Sequence, residues 1–316
     1  MTTPTPTAVP TAATPPSAPP PRPRGKLRSL SGTDKVVVSV MVAVPTLVVL
    51  VLVWFPALAT VLLSFTDWNG VGDLADIEVI GATNYVNVAT NYPPFWPALQ
   101  HNLTWLAVLF VVATPVGMFL AVLLDKEIRF SRFYQSALYM PVVLSLALVG
   151  FIWQLIYSRD QGLLNAVLGT TVDWYGDPSV NLWAALVASG WRHVGYVMLL
   201  YLAGLKAVDP SLREAAKIDG ATETQTFFQV VFPVMRPINV IVLVITVIEA
   251  LRAFDLVWVI NKGRNGLELI ATLVTQNVVG EASRIGFGSA MATVMLAISS
   301  IFVAIYLTIV MREGAR

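Results

Sequence analysis

The stretch Lys206-Ala207-Val208-Asp209-Pro210-Ser211-Leu212-Arg213-Glu214-Ala215-Ala216-Lys217-Ile218-Asp219-Gly220-Ala221-Thr222-Glu223-Thr224-Gln225-Thr226-Phe227-Phe228-Gln229-Val230-Val231-Phe232-Pro233 decides how the rest of the chain is read. Asp209 suits a helix N-cap and Pro210 the first helical position. Ser211 to Asp219 is helix-compatible, and Gly220 supplies a left-handed stop. Thr222 with Gln225 forms a capping box for a second short helix. That helix carries Phe227, Phe228, Val230 and Val231 and is expected to end before Pro233. Two short helices at an angle, lying at a membrane surface, are therefore predicted. Such a unit can serve as a docking knob. Small Ala215 and Ala216 let a partner backbone come close, Glu214 and Asp219 can pair with partner cations, and Phe227 and Phe228 can anchor the second helix. From these residues alone, an ordinary amphipathic interfacial loop reads as well.

The flanks place this loop inside a membrane protein. Of 316 residues, 56% are hydrophobic and 12% charged, about half the charge of a soluble domain. Mean hydropathy is +0.71. A hydrocarbon core of about 30 Å needs about 20 helical residues. Six segments qualify, at about 36–63, 98–124, 134–157, 182–205, 237–260 and 286–311. Pro45, Pro56 and Pro141 fall inside them, which neighbouring helices allow. The expected fold is all-α and polytopic, with the quoted loop joining spans four and five. Lys and Arg set the orientation. With the N-terminus inside, the cytoplasmic side holds five in the tail, then Lys126, Arg129 and Arg132, then Lys206, Arg213, Lys217 and Arg236, then Arg312 and Arg316. The outer side holds only Arg159, Lys262, Arg264 and Arg284. Both termini and the quoted loop are thus expected in the cytoplasm.

Residues 1–32 read as a Pro/Thr/Ala-rich cytoplasmic tail, too poor in aliphatic mass to offset the entropy of ordering. The apolar run from Val36 is too long for the core of a cleaved signal peptide, although Ala57-Leu58-Ala59 mimics a cleavage site. The transmembrane domain is expected over 33–316, with its core at about 97–311. A net charge of +1 gives no reason to expect a nucleic-acid partner, and the absence of cysteine excludes disulfides and thiolate metal sites.

No phosphate-binding loop is present: Gly25-Lys26 is followed by Leu27 and lacks the upstream glycine. His101 and His193 stand alone, so no catalytic or metal site is expected, nor ATP hydrolysis by this chain. Ionisable groups inside spans are functional candidates by default. In span four, Ser189, Arg192, His193 and Tyr196 share one helix face beside Trp191, a set that suits sugar hydroxyls and ring stacking. The alternative is an Arg192 that pairs with an acid and stabilises packing. In span five, Glu249 and Arg252 can pair on one face and Arg252 can reach Asp255, which makes an ion-pair ladder. Asp255 could also help seal an outer gate. Gly117 and Gly190 read as close-packing sites. Trp54, Trp68, Trp105, Trp183 and Trp258 fit interfacial belts.

Glu214-Ala215-Ala216, Asp219-Gly220-Ala221, Phe227 and Pro233 resemble the EAA motif of ABC-importer permeases, in residue type and spacing over about twenty positions. Phe232 stands where that family usually has Leu. More of the chain resembles the carbohydrate importers of the maltose-permease type. The matching pieces are Ser64-Phe65-Thr66-Asp67-Trp68, Asn84-Tyr85, Phe95-Trp96 with Asn102, Gly162 with Asn165, and Phe254-Asp255 running to Ile260. The Gly-rich turn that follows is altered to Asn261-Lys262-Gly263-Arg264-Asn265-Gly266. The resemblance covers about 36–312 and implies a multi-pass permease subunit of the bacterial cytoplasmic membrane. It implies a second permease, ABC ATPase subunits that carry ATP and Mg, an extracytoplasmic sugar-binding protein, and a carbohydrate, di- or oligosaccharide, as solute. This chain would bind no cofactor. The span-four face would line the sugar cavity. Rival readings are an ABC permease for glycerol 3-phosphate (Arg192 could hold a phosphate) or another small polar solute, and a secondary transporter, which often shows an inverted repeat not seen here.

Overall fold

A computed structural model describes residues 31–126, 128–279 and 283–314, without the side chains of Leu74 or of 309–314. The tail reading, on residues 1–30, lies outside the described residues. The chain divides into two compact units, up to Trp54 and from Phe55.

The described part of the first unit is helical from α1 (Gly32–Val49), followed by a π-turn at Leu50–Trp54. The Asp34 carboxylate accepts from the Ser31 backbone N–H at 3.1 Å and opens the helix.

The second unit starts with α2 (Phe55–Leu63). A hook follows, closed by an isolated bridge between Thr66 and Val79. Asn84, at the start of α3 (Thr83–Thr90), donates to the carbonyls of Ser64 at 2.9 Å and Thr66 at 2.7 Å. The family-like residues Ser64, Thr66 and Asn84 therefore tie a span end to its loop. Then come α4 (Phe95–Val108), a π-turn at Leu109–Ala113 and α5 (Thr114–Asp125). Next are α6 (Ser131–Val143), α7 (Leu146–Ile156), the short α8 (Leu163–Leu168) and the 27-residue α9 (Asn181–Ala207). The loop elements α10 (Pro210–Ile218), α11 (Glu223–Gln225) and α12 (Phe232–Val234) lead to α13 (Arg236–Leu251). The chain ends through α14 (Asp255–Asn261), α15 (Ile270–Val278) and α16 (Ile285–Gly314).

Three buried apolar clusters hold this unit together. One joins Trp105, Leu109, Val149, Leu186 and Val257, another joins Ala121, Met198, Leu205, Val231 and Met235, and the third joins Val88, Phe95, Ile270, Leu273 and Met291. α5 and α9 touch closely because Gly117 carries no side chain: a Cβ there would lie 2.9 Å from the Val194 carbonyl and from Val197. Gly190 is not a close-packing site, since nothing stands within 4 Å of a Cβ added there. Gly195 against Leu138 and Gly204 against Ile238 do that work on α9.

By length and composition, Gly32–Leu63, Phe95–Asp125 and Ile285–Thr308 can each cross a membrane. Ser131–Val143 with Leu146–Ile156 makes a fourth only as a pair bent by 102°. The expected continuous helix over 134–157 is thus broken, because Ser145 recaps the chain by accepting from the Leu148 N–H at 3.2 Å. The expected helix over 237–260 is broken as well, between Leu251 and Asp255. The end freed at Ala250 is held by Asn102, whose amide donates to the Ala250 carbonyl at 3.2 Å and whose oxygen accepts from the Ile270 N–H, at the start of α15, at 3.0 Å. Asn102 is fully buried, and a buried carbonyl at a helix break needs such a partner.

Candidate functional site: a loop knob and an intramembrane ion cluster

The loop between α9 and α13 takes its shape from local caps. Asp209 accepts from the Ser211 N–H at 2.9 Å, which holds its carboxyl below the usual carboxylate range. α10 ends in a Schellman arrangement: Gly220 N–H to Lys217 O at 3.1 Å, and Ala221 N–H to Ala216 O at 3.0 Å. Gly220 has φ +79°, the left-handed conformation that glycine reaches without penalty. The Thr222–Gln225 capping box is formed. The second helix differs from expectation. It widens into a π-turn at Thr226–Val231 and continues through Pro233 to Val234. Pro233 is tolerated because the π-turn pairs in the wider register, with Phe232 N–H on Phe227 O, and the α register resumes with Met235 N–H on Val231 O, so the register shift absorbs the missing donor.

Glu214, Ala215, Ile218, Asp219 and Gly220 are exposed, and Ile218 is 86% exposed. Ala216 is buried, so it packs inward and leaves Ala215 as the small residue facing out. Phe227 packs on the inner cluster and meets Phe228 edge-on at 5.0 Å. The sequence did not single out what fixes the knob to the bundle. Asp125, at the end of α5, takes Arg213 at 2.7 Å and Lys206 at 3.3 Å. Next to it Lys126 pairs with Glu223 at 2.6 Å and holds that carboxyl below its usual range. An acid placed among Lys126, Arg129 and Arg132 at a span end was the available signal.

The polar residues of spans four and five come together only in part. Ser189, Arg192, Glu249, Arg252 and Asp255 line one cavity of about 210 Å³, with Trp105 in its wall. Glu249 pairs with Arg192 at 3.4 Å, not with Arg252. The expected ladder within span five is not formed: among the described residues Arg252 has no ion pair with Glu249 or Asp255. α13 ends at Leu251, and α9 supplies the cation first. The Arg192 Nε and the Trp105 Nε1 are shielded and have no partner. His193 leaves the shared face. It is buried, with its Nε2 3.1 Å from the Thr246 hydroxyl, a core contact. Tyr196 is half-buried and lies outside the cavity. Trp191 meets Trp153 edge-on at 5.8 Å. The cavity therefore offers two guanidinium groups, two carboxylates and a hydroxyl, a set able to donate to and accept from several hydroxyls at once. Among the described residues, no group of three or more His, Asp or Glu could hold a metal ion.

Residues 113–313 match the model of a family described as the binding-protein-dependent transport system inner membrane component. Over 259 residues the chain is 31% identical to the xylose/arabinose import permease protein XacH of Haloferax volcanii, covering 80% of this chain and 81% of that one. It is 29% identical over 310 residues to the arabinooligosaccharides transport system permease protein AraP of Halalkalibacterium halodurans, covering 93% and 94%. Among solved structures, a chain of a bacterial alginate ABC transporter in complex with an alginate pentasaccharide-bound periplasmic protein shares the fold, with a TM-score of 0.74. It is 18% identical, and the match covers 86% of this chain and 93% of that one.

Proposed function

The chain belongs to the family of binding-protein-dependent transport system inner membrane components, and on that footing we propose that it imports a carbohydrate across the cytoplasmic membrane by alternating access. It is a permease subunit of an ABC transporter and not itself an enzyme. The proposed topology has six spans with both termini in the cytoplasm, a domain over 33–316 with its core at about 97–311, and a cytoplasmic tail before it. α9, and α13 with α14, complete the six, shielding Arg192 and Glu249 inside the bundle.

The observation that carries this reading is the capped, exposed knob at Glu214–Gly220, braced to α5 through Asp125. Two ATPase subunits, which bind ATP and Mg, would grip such knobs on this chain and on a second permease. Because α9 runs into α10 through Val208 and Asp209 alone, a push on the knob tilts α9 as a rigid body. A ligand-driven switch of this kind needs contacts that differ between its two states, and the exposed charges of Glu214 and Asp219 supply them. The outer partner is an extracytoplasmic sugar-binding protein. Support comes from the alginate transporter, solved with its periplasmic protein bound, and from two relatives whose names carry pentose sugars or their oligomers.

The solute path is proposed past Ser189, Arg192, Glu249, Arg252 and Asp255, with Trp191 nearby; His193 and Tyr196 shape it from behind. A glycerol 3-phosphate solute fits less well, since Glu249 already holds the guanidinium a phosphate would take. Arg192→Ala is expected to lower uptake about tenfold or more, from lost charged hydrogen bonds and an unpaired Glu249. Basal ATP hydrolysis by the complex should persist. Wild-type uptake by this variant would exclude the cavity from the path.

The test of the proposal is gentle detergent extraction of tagged protein from its native membrane, with identification of what co-purifies. An ATPase, a second permease and a saccharide-loaded binding protein are expected. A chain that purifies alone and carries solute in proteoliposomes without ATP would overturn the reading in favour of a secondary transporter.

A further inference from the structure

A second polar cavity, of about 340 Å³, lies where the hook after α2, the helix α3 and the start of α16 meet. It shares no lining residue with the cavity of Arg192 and Glu249. On the proposed topology it opens at the outer ends of the spans. Its frame is fixed from three sides. The Gly286 N–H donates to the Trp68 carbonyl at 2.8 Å and pins α16 to the hook. The Asp67 N–H donates to the Glu78 carbonyl at 3.2 Å, and the Asp67 carboxylate accepts from the Glu78 N–H at 3.2 Å, which closes the hook. Asn84 ties the hook to α3 through its two carbonyl contacts.

The side chains that this frame presents face water and keep unused hydrogen-bonding capacity. Asp67, Asn69, Asn91 and Arg284 are exposed, and Asn87 is half-buried. Asp67 engages one carboxylate oxygen with Glu78, and Asn69 engages its oxygen with the Val71 N–H. Asn91 donates to the Asn87 oxygen at 2.9 Å, which leaves the Asn87 amide N–H and the Asn91 oxygen. Arg284 is held by its backbone N–H, on the Asn277 carbonyl at 2.8 Å, and among the described residues its guanidinium makes no ion pair. Donors therefore remain on Asn69, Asn87 and Arg284, and acceptors on Asp67 and Asn91. Between them stand the aromatic side chains of Trp68, Tyr92 and Phe287, the last two edge-on at 5.2 Å. One carboxylate and one guanidinium leave the lining without net charge, so an ionic ligand gains little there. A ring bearing several hydroxyls fits it better, because each hydroxyl both donates and accepts while the C–H face of the ring lies on aromatic carbon. The volume is at the small end of the about 300–1,000 Å³ of small-molecule pockets, which suits one sugar unit and not a long chain.

We propose that this cavity is an entry subsite for one unit of a neutral saccharide, separate from the solute path in the spans. The inference rests on the transport reading for its ligand class and for the side on which it opens.

The test is saturation-transfer NMR on the full chain in phosphatidylcholine nanodiscs, with L-arabinose, D-xylose, arabinotriose and maltotriose as probes. Wild type, Asn87→Leu, Arg284→Gln and the span variant Arg192→Ala are compared. At least one probe is expected to bind wild type and Arg192→Ala alike, and about threefold more weakly or worse in the other two. Sodium acetate at matched ionic strength should not displace it. Arg284 is exposed, so its variant remains informative even if Asn87→Leu disturbs α3. Binding of no probe to wild type, displacement by acetate, binding weakened by Arg192→Ala, or binding undiminished in either hook variant overturns the proposal. None of these results touches the transport reading, whose own failure is seen in the co-purification.

Discussion

Gly220→Val is expected to cut solute uptake at least about tenfold while the assembled transporter continues to hydrolyse ATP. The cause is conformational, not steric. Nothing stands within 4 Å of a Cβ added at Gly220, but its φ of +79° lies where a side-chain-bearing residue is penalised by about 1–2 kcal/mol, and a β-branched one more. Relieving that strain means unwinding the Schellman end of α10 and turning the knob relative to the π-turn. Since about 1.4 kcal/mol is a factor of ten, the lower penalty alone costs about fivefold in the productive geometry, and the added cost of β-branching carries the loss to about tenfold or more. Gly220→Asn, which tolerates the left-handed region, should keep most of the uptake. Glu214→Lys should uncouple in the same way by another route, because it reverses an exposed charge with no effect on packing. Full uptake by both Gly220→Val and Glu214→Lys would remove the knob from the mechanism.

Asp125→Ala carries the second large expected effect. One carboxylate, 10% exposed, serves both Arg213 and Lys206. Its removal takes the shared carboxylate from two cations beside an apolar cluster and loosens α10 from α5. With Arg213 and Lys206 a third to a half exposed, water compensates part of the loss, and local stability should fall by about 1–3 kcal/mol. Hydrogen exchange reads this directly. Amides of residues 210–225 should exchange about ten times faster or more, while those in the middle of α9 stay protected. Exchange at the wild-type rate would show that the brace contributes nothing. Asp125→Asn, which keeps an acceptor for one cation, should fall between the two.

Legibility from sequence followed the range of the interaction. The caps at Asp209, Gly220 and Thr222–Gln225 span at most a few residues, so residue type and spacing specified them and the structure agrees. The brace at Asp125 reaches Arg213 across 88 positions, and nothing local announces it. The helix breaks were hidden for a related reason. The hydrophobic run barely pauses at Leu144, and at Leu251 the flanking Glu249, Arg252 and Asp255 read as an ion-pair ladder on a continuing helix; whether a helix stops at either place depends on who satisfies the freed carbonyl. For Ala250 the donor is Asn102, 148 positions away. Likewise Glu249 and Arg252 have the right spacing to pair, but Arg192 on α9 competes for the same carboxylate and prevails. The helical face at Ser189–Tyr196 was half right for the same cause. Periodicity puts four side chains on one side, and only the neighbouring α13 decides that His193 is buried against Thr246 while Ser189 and Arg192 stay in the cavity.

The clasp at Asn102 has a consequence for how such a protein diversifies. Its two ends hold Ala250 and Ile270, so one side chain fixes where the run 251–269 starts and finishes. Within that run Leu256, Val257, Ile260, Leu267 and Leu269 are core residues, and its loop is tied back through Asn181 and Asn261. Natural variation and laboratory grafting are therefore confined to its exposed positions, such as Lys262, Arg264 and Asn265, because a change of length would carry the core residues out of place.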